Sequence, residues 1–284
     1  SKFLQDCIQS ILDQNVEDFE LIVLNDCSPE PVEEIVSRFE DKRIRYFKNE
    51  VNVGGLRLVD NWNKCLDLAR GEYIVIMGDD DLLEPDYLTE FSVLISTYPR
   101  LEVFHCRSKI IDNEGNTQLL TPACPAYEDV YDSIWHRLNQ WRSNYISDYM
   151  YKTKSLRARG GFYHLPYAWG SDDITAFIAS AEKGIAHSNR PVFKYRSHGL
   201  SISSAGSNDL GKLQADAGYA SWLSDFLQKE PSDPEDYTIY RHLADNQGRY
   251  MRQRKVFTMA KLMRSVPVTR SWTWFKIRKE LGVT

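Results

Sequence analysis

Several features that would place a protein in a special class are missing from this sequence of 284 residues. No apolar run approaches the roughly 18 residues that a membrane-spanning helix needs. The sequence does not open with a basic segment followed by an apolar one, so no signal peptide is indicated. It also contains no internal repeat and no low-complexity tract, which excludes repeat architectures. These absences predict an ordinary globular protein in the cytoplasm.

Cysteine is scarce, and its spacing is uninformative. Five cysteines form an odd set that contains no C-x-x-C pair. This argues against both a disulfide framework and a zinc site, because each of these has a characteristic spacing. The sequence therefore predicts reduced thiols with mainly structural roles. They are Cys7, Cys27, Cys65, Cys106 and Cys124.

The net charge of −5 is unevenly distributed. Residues 241–284 contain eleven Lys or Arg and two Asp or Glu, which leaves a balance of −14 for residues 1–240. Apolar residues interleave with the basic ones, as in helices that lie on anionic membrane surfaces. An amphipathic helix packed on its own domain would show the same pattern. A nucleic-acid role is disfavoured, because the rest of the chain is acidic and shows no base-stacking motif. The apolar set comprises Phe257, Met259, Leu262, Met263, Trp272, Trp274 and Phe275.

The first half of the sequence alternates helical and strand patterns, which indicates a mainly parallel sheet flanked by helices. Helices are predicted over 3–12, 31–39 and 56–69, and strands over 19–24, 44–47 and 73–77. Sheets of this class normally begin with a strand, whereas the sequence begins with a helix. We therefore expect a strand to precede Ser1.

The second half of the sequence becomes progressively more helical. A helix follows Pro85, a turn at 112–116 predicts a hairpin between strands 102–111 and 117–120, and a helix is predicted near 128–140. Ser171 is the expected N-cap of a helix that Gly184 ends, and a strand follows at 192–195. From about 206 onward we predict helices, with a break at 230–234. This organisation suggests an α/β domain over 1–205 and a basic, helical region over 206–284.

Three adjacent carboxylates, Asp79, Asp80 and Asp81, follow Gly78 at the end of the strand predicted over 73–77. Ligands of open α/β sheets bind beyond the carboxyl ends of the strands, where this run falls. The mutual repulsion of the three carboxylates is unfavourable in a partly buried crevice unless a cation offsets it. The alternative is a solvated turn in which Asp79 or Asp81 caps a helix.

Two further polar groups precede the acidic run. Asn25 and Asp26 end the strand over 19–24, where Asp26 can accept hydrogen bonds from a base or ribose, or simply form an Asx turn. The segment Asn52-Val53-Gly54-Gly55, with Asn61 beyond it, contains paired glycines. Paired glycines allow a close approach of backbone to ligand, but they also occur in ordinary turns.

Two other groups of candidate residues follow later in the chain. Asp172 and Asp173 occupy the first turn of a predicted helix, where acidic residues also complement the helix dipole. That dipole lowers the pKa of an Asp, so a catalytic base there requires desolvation or a nearby charge to raise it. Arg196 and His198 follow a strand and are candidates for phosphate and metal binding, or are ordinary satisfied polar residues.

In this order, the segments resemble family 2 of the inverting glycosyltransferases, which have the nucleotide-binding GT-A fold. The resemblance covers roughly residues 1–205. It rests on 8–14 (IQSILDQ), 18–28 (DFELIVLNDCS), 52–55 (NVGG) and 69–74 (ARGEYI), followed by the acidic run. Gly78 departs from the pattern, because many family members have their first Asp at that position.

The resemblance implies a role for each candidate residue and a divalent ion, Mg²⁺ or Mn²⁺, as cofactor. Asp80 falls on the principal metal-binding Asp of the family, and Asp173 on the catalytic base, with Asp172 beside it. The metal-binding set would be Asp80, Asp81 and His198. The nucleotide-binding set would be Asn25, Asp26, Asn52, Gly54, Asn61, Asp79 and Arg196.

The implied reaction moves a sugar from a nucleotide-diphospho-sugar, with UDP favoured, to an acceptor hydroxyl with inversion. The expected acceptor is a glycan or lipid-linked glycan of a surface polysaccharide, handled in the cytoplasm or at the inner face of the cell membrane. Two alternatives remain open from the sequence: a sugar-nucleotide nucleotidyltransferase and a non-catalytic sugar-nucleotide-binding subunit.

Overall fold

The computed structural model describes residues 2–198 and 209–265. Helices and strands alternate along the chain up to residue 198, and two longer helices follow. The helices are α1 (Leu4–Leu12), α2 (Val32–Val36), α3 (Leu58–Leu68), α4 (Tyr87–Thr97), α5 (Val130–Leu138), α6 (Thr153–Ala158), α7 (Ser171–Ser180), α8 (Asp209–Phe226) and α9 (Pro234–Ser265). The strands are β1 (Leu21–Asn25), β2 (Ile44–Lys48), β3 (Tyr73–Ile74), β4 (Leu82–Leu83), β5 (Val103–Ile111), β6 (Thr117–Leu120), β7 (Tyr127–Glu128), β8 (Tyr149–Lys152) and β9 (Ile185–Arg196).

The strands form two sheets. β1 and β2 pair in parallel, while the larger sheet has the order β3-β8-β5-β9-β4, with β6 added to β5 and β7 added to β9. Within the larger sheet only β5 and β9 are parallel, and the other described pairs are antiparallel. The α/β class is confirmed, but the expectation of a mainly parallel sheet is corrected to a mixed one. β8 comes from the irregular stretch 121–165, where no strand was predicted.

Two predicted strands have different lengths in the structure. Of residues 73–77, only Tyr73 and Ile74 form strand pairs, and their partner is β8. The remaining apolar residues lead to the acidic turn without regular strand pairing. The strand expected at 192–195 is the end of the 12-residue β9. Its first half was missed because the polar sequence His187-Ser188-Asn189-Arg190 interrupts the apolar pattern. The register with β5 shifts around Pro191, which has no N–H to donate.

The helical predictions agree closely with the structure. The β5–β6 hairpin, α5, and the break between α8 and α9 are all present. Both ends of α7 differ from the prediction. Gly170 is the residue before the helix and has a left-handed backbone with φ of 94°, whereas Ser171 is already helical, and the helix ends at Ser180 rather than at Gly184. The Ser171 hydroxyl instead accepts a hydrogen bond from the Leu165 N–H at 3.1 Å.

The long helices α8 and α9 pack on α5 and α7 and share one apolar core with them. Ile134, Phe177, Tyr219 and Leu243 contribute to this core and are at most 1% exposed. Because side chains of all four helices pack into this one core, the core holds α8 and α9 against α5 and α7. The domain boundary expected at 205/206 lies outside the described residues, and the division into two regions stays a prediction.

The basic C-terminal region is described only in part. On α9, Met259 is buried at 2% exposure, whereas Val256 and Phe257 are exposed. Trp272, Trp274 and Phe275 lie outside the described residues, so membrane contact by this region stays a prediction. In the described part of the chain, no helix combines the length and the apolar character needed to cross a bilayer.

Candidate active site

A cavity of about 2360 Å³ is bordered by the end of β1, the acidic turn after Met77, the start of α7 and part of α9. Ten of the twelve candidate residues line it, although they are spread over most of the sequence before residue 199. Asp173 and Arg196 are the two candidates that do not line it. The lining candidates are Asn25, Asp26, Asn52, Gly54, Asn61, Asp79, Asp80, Asp81, Asp172 and His198.

The acidic turn is compact because it begins with glycine. A Cβ atom on Gly78 would lie 2.9 Å from Asp81 Oδ2 and 3.0 Å from Asp80 Oδ1. A side chain here would displace the carboxylates of Asp80 and Asp81. The Gly78 N–H donates to Ser147 Oγ at 3.2 Å, and the Cys7 thiol donates to the Gly78 carbonyl at 3.3 Å.

The acidic turn and His198 supply carboxylate and imidazole groups of the kinds that bind divalent cations. His198 Nε2 lies 2.6 Å from Asp80 Oδ2, and Asp81 is buried while Asp79 is exposed to the cavity. Burial raises the pKa of Asp81, and the charge of Asp80 raises it further. Partial desolvation within the cavity and the charge of Asp80 also raise the pKa of Asp79. Such crowding is relieved by a bound cation. Carboxylate oxygens with one imidazole fit Mg²⁺ or Mn²⁺.

Arg196 has a different position from the one its nucleotide-binding role would require. Its side chain is 3% exposed, and its guanidinium donates to the backbone carbonyls of Asp80 at 2.8 Å and of Asp112 and Asn113 at 3.0 Å. Its own N–H donates to Asp81 Oδ1 at 2.8 Å. Arg196 therefore fixes the acidic turn to the β5–β6 hairpin. No sequence motif indicated this role, because the acceptors are backbone atoms.

Elsewhere on the cavity wall, Asp26 holds a glycine-containing loop in place. Its carboxylate accepts hydrogen bonds from the Val53 N–H at 3.0 Å and the Gly54 N–H at 3.2 Å. Gly54 has a φ of 68°, a conformation that other residues rarely adopt. Asn25 is 4% exposed, and its side chain bonds Tyr46 and the Ser28 N–H, so it shapes the turn after β1.

Asn49 is a central residue of this region that sequence reasoning missed. Its amide donates to Asp26 Oδ1 at 2.8 Å and to Asn61 Oδ1 at 2.9 Å, and its Oδ1 accepts from Lys64 Nζ at 2.7 Å. Asn49 is only 8% exposed. It links two predicted nucleotide-binding residues into one network. The only signal was its place directly after β2, at the same sheet edge as Asp26.

Asp172 and Asp173 have different environments at the start of α7. Asp173 is fully buried, and its Oδ1 accepts from Arg137 Nε at 2.7 Å and from Asn144 Nδ2 at 3.1 Å. Asp172 lines the cavity. Burial raises the pKa of Asp172, and the charge of Asp173 raises it further, to about 7. The desolvation and neighbouring charge that a base requires are thus present, but they act on Asp172.

Comparison with known protein families adds the decisive observation. The family described as Glycosyl transferase family 2 matches residues 1–167 of this chain. The chain belongs to glycosyl transferase family 2. The match includes the Asp26 loop and the acidic turn, whereas Asp172, Asp173 and His198 lie beyond it.

Curated relatives of this family 2 chain match it over shorter stretches. A glycosyltransferase of Methanocaldococcus jannaschii, described as uncharacterized, is 33% identical over 118 residues, or 40% of each chain. WcaA of Escherichia coli, whose name proposes a glycosyl transferase of colanic acid biosynthesis, is 36% identical over 86 residues, or 30% of each chain. The chain therefore spans less than half the length of these relatives.

Solved structures confirm the GT-A fold of this family 2 chain. Residues 1–349 of S. aureus TarS in complex with UDP-GlcNAc match with a TM-score of 0.59 and 16% identity, covering 93% of this chain and 86% of that one. The mannosyltransferase PcManGT from Pyrobaculum calidifontis, in complex with GDP-Man and Mn²⁺, has a TM-score of 0.59 and 14% identity. This match covers 99% of the present chain and 79% of the PcManGT chain.

Helix α9, the last described helix, adds side chains to the cavity wall beside Asp173. Arg254 donates to Asp216 Oδ1 at 2.9 Å and to the Trp169 carbonyl at 3.2 Å, and its Nη1 lies 3.8 Å from Asp173 Oδ2. The Trp169 indole donates to Thr258 Oγ1 at 3.1 Å. Arg254, Thr258 and Trp169 all line the cavity, so the helical extension forms part of its wall.

Proposed function

We propose that this chain transfers a sugar from a nucleotide-diphospho-sugar to an acceptor hydroxyl, with inversion and with a divalent cation. One observation carries the proposal: the Asp26 loop, the acidic turn and Asp172 all border a single cavity. A nucleotide, a diphosphate and an acceptor can therefore be held in one place. The family match ends at residue 167, so the parts of the proposal that concern Asp172 and His198 rest on the structure and not on that match.

The acidic turn is the proposed site of the cation. Asp80, Asp81 and His198, the predicted ligands, border the cavity together with Asp79, and Arg196 holds the turn through the Asp80 carbonyl. When bound, Mg²⁺ or Mn²⁺ would neutralise charge on the departing diphosphate. Gly54 and Asn61 border the same cavity near Asp26, which is the proposed place for the base and ribose.

Asp172 is the proposed general base, with Asp173 as the residue that positions it. A base must be unprotonated and reach the acceptor hydroxyl, and a pKa of about 7 suits proton removal near neutral pH. Asp173 does not meet the second need, because it is fully buried against Arg137 and does not border the cavity. This revises the expectation from the resemblance, which assigned the base to Asp173.

The donor and acceptor classes are proposed from the comparisons. The TarS structure contains UDP-GlcNAc and the PcManGT structure contains GDP-Man, so nucleotide-diphospho-sugars fit this fold. We favour a UDP-sugar. The names of WcaA and of TuaG, which refer to colanic and teichuronic acid biosynthesis, support a glycan or lipid-linked glycan of a surface polysaccharide as acceptor.

A ligand screen tests the donor part of the proposal. Thermal unfolding is followed with UDP-, GDP- and dTDP-sugars, with and without Mn²⁺, because a ligand of the folded state raises the unfolding temperature. We expect one nucleotide class to stabilise the wild type only when Mn²⁺ is present, and Asp80→Ala to remove that effect. Stabilisation that does not depend on Mn²⁺ or on Asp80 would contradict the metal assignment.

Product analysis tests the catalytic part. With the donor found in the screen, an active transferase releases some free sugar by transfer to water, whereas a non-catalytic binding subunit releases none. NMR of the earliest product should show the anomeric configuration opposite to that of the donor. Retention of configuration would contradict the single-displacement mechanism, and absence of turnover with every glycan acceptor tried would favour the binding subunit.

A further inference from the structure

A second polar cluster, which does not border the cavity, consists of His105, Cys124 and His187. His105 on β5 and His187 on β9 are register partners in the parallel ladder, so their side chains lie side by side. Cys124 lies in the segment between β6 and β7. The three residues are 3%, 9% and 7% exposed. No other group of at least three His, Cys, Asp or Glu residues in the described ranges has this geometry.

The ligand atoms of the cluster converge on one point. One ligand atom from each residue lies within 4.8 Å of the other two, and the two imidazole Nδ1 atoms are 3.0 Å apart. Tetrahedral zinc with bonds of about 2.0–2.1 Å to nitrogen would hold two nitrogens about 3.3 Å apart. A shift of roughly 0.3 Å therefore suffices to admit the ion.

The outer nitrogens of both imidazoles face buried carboxylates. His187 Nε2 is 3.2 Å from Glu128 Oε1, and His105 Nε2 is 3.5 Å from Asp148 Oδ2. Both carboxylates are buried, at 4% and 0% exposure. Neither Nε2 atom, nor Glu128 Oε1, makes an aligned hydrogen bond to any described residue. Metal-binding histidines commonly turn their second nitrogen toward a carboxylate, which leaves the first nitrogen's lone pair for the metal.

Cys124 is fixed at the third position by its backbone. Its N–H donates to Asn189 Oδ1 at 2.9 Å, and its carbonyl accepts from Asn189 Nδ2 at 2.8 Å. The neighbouring residues Ala123 and Pro125 are exposed, which gives an ion a short path from solvent.

We propose that His105 Nδ1, His187 Nδ1 and Cys124 Sγ bind one Zn²⁺ ion, with a fourth position left for solvent. Two imidazoles and one thiolate suit zinc and disfavour Mg²⁺ and Mn²⁺, which prefer oxygen ligands. The ion would join the β6–β7 segment to the centre of the larger sheet. The spacing argument against zinc fails here because the ligands come from two strands and a loop that are distant in sequence.

The competing interpretation is a metal-free network in which a proton lies between the two Nδ1 atoms. Zinc content separates the two interpretations. Wild-type protein is incubated with Zn²⁺, dialysed against metal-free buffer that contains a weak chelator, and analysed by mass spectrometry for metal. We expect about one retained zinc per chain in the wild type and in Asp80→Asn, and none in Cys124→Ser. Cys65→Ser, at a thiol outside the cluster, is the matched control and should keep its zinc.

Cobalt gives a readout that does not require any variant to fold. Co²⁺ in the wild-type site should produce a thiolate-to-cobalt charge-transfer band and the visible bands of a tetrahedral ion. Glu128→Gln should weaken zinc binding about 10–100-fold, because it removes the carboxylate behind His187. Zinc retention by wild type no greater than by Cys124→Ser, or a cobalt spectrum without the thiolate band, would overturn the proposal. Neither result depends on glycosyl transfer.

Discussion

Asp172 and Asp173 are consecutive residues of α7, yet Asp172 borders the active-site cavity while Asp173 is fully buried against Arg137 at 2.7 Å. Neighbouring residues of a helix point about 100° apart, because one turn contains 3.6 residues. One carboxylate can therefore be kept available for chemistry while the other is neutralised in the interior. The buried charge of Asp173 also acts on Asp172 by raising its pKa.

The two aspartates should respond differently to removal of their charge. We expect Asp172→Asn to lower kcat by about 10²–10⁴-fold with little change in donor affinity, since general bases contribute in that range. Asp173→Asn should instead lower the free energy of unfolding by about 3–5 kcal/mol, because Arg137 loses its buried partner. Steady-state kinetics and thermal unfolding of both variants measure this. A stable Asp173→Asn protein without turnover, beside an active Asp172→Asn, would reverse the roles.

The pH dependence of turnover follows from the raised pKa of Asp172. Because the base must be unprotonated, kcat/KM should rise with pH and level off above about 7. The same raised pKa has a consequence for stability. The folded state binds the proton of Asp172 more tightly than the unfolded state, so this group's contribution to the free energy of unfolding decreases between about pH 4 and 7.

A pH–rate profile at saturating Mn²⁺ tests this, with unfolding measured in parallel. In Asp172→Asn, the rise of kcat/KM near pH 7 should be absent from the residual activity. If the variant retains the same profile, another group controls the pH dependence. A profile that falls between pH 5 and 7 in the wild type would show that the titrating group acts as an acid.

Gly78→Ala should weaken metal-dependent nucleotide binding and leave the fold largely intact. The added Cβ would lie within 3.0 Å of both Asp80 and Asp81, so these carboxylates must move. Crowding of this kind costs about 1–3 kcal/mol. Calorimetry with the nucleotide and Mn²⁺ should therefore show affinity about 5- to 150-fold lower, by the same free energy.

A matched glycine substitution serves as the control for this prediction. Gly248 lies inside α9, where an added Cβ would make only an ordinary contact with Arg252 at 3.6 Å. Gly248→Ala should leave nucleotide binding unchanged and stabilise the protein by about 0.5–1 kcal/mol, because alanine favours the helix. Equal nucleotide affinities for Gly78→Ala and Gly248→Ala would contradict the crowding argument.

Asn49→Ala should affect both stability and donor binding. The change removes the hydrogen bonds that join Asp26, Asn61 and Lys64, each of which contributes about 0.5–1.5 kcal/mol net. We expect a lower unfolding temperature and weaker nucleotide binding. Asn246→Ala on α9 is the control, because Asn246 is half-buried and its described hydrogen bond is to the His242 carbonyl one turn earlier. A nucleotide affinity that stays at the wild-type value in Asn49→Ala would show that this network does not support the donor site.

Local patterns in the sequence predicted a large part of the fold. Apolar residues at helical spacing marked α1, α3, α4 and α7, and the turn at 112–116 marked the β5–β6 hairpin. Such signals lie within one short segment, so they can be recognised without knowing which other elements pack against it. The direction of β8 and the full length of β9 were not predicted, because strand pairing depends on residues distant in sequence and β9 contains a polar stretch.

The same division holds for the candidate site. The acidic run and Asp26 were recognised because each lies directly after a predicted strand, so that a single short segment indicates its role. The position of Arg196 could not be predicted, because its acceptors are carbonyls on the turn of a distant hairpin. The contribution of Arg254 was also missed, since it depends on how α9 packs beside Trp169 and Asp216.

The sequence by itself determined which residue types are available: the run of aspartates, the glycines around it, the two acidic residues that open α7, and the apolar periodicity of the elements that present them. The tertiary structure alone decided which of two adjacent aspartates borders the cavity, and it alone brought His105, Cys124 and His187 together. The reason is physical. A side chain's pKa, charge partner and solvent access are set by neighbours that the fold supplies from elsewhere in the chain.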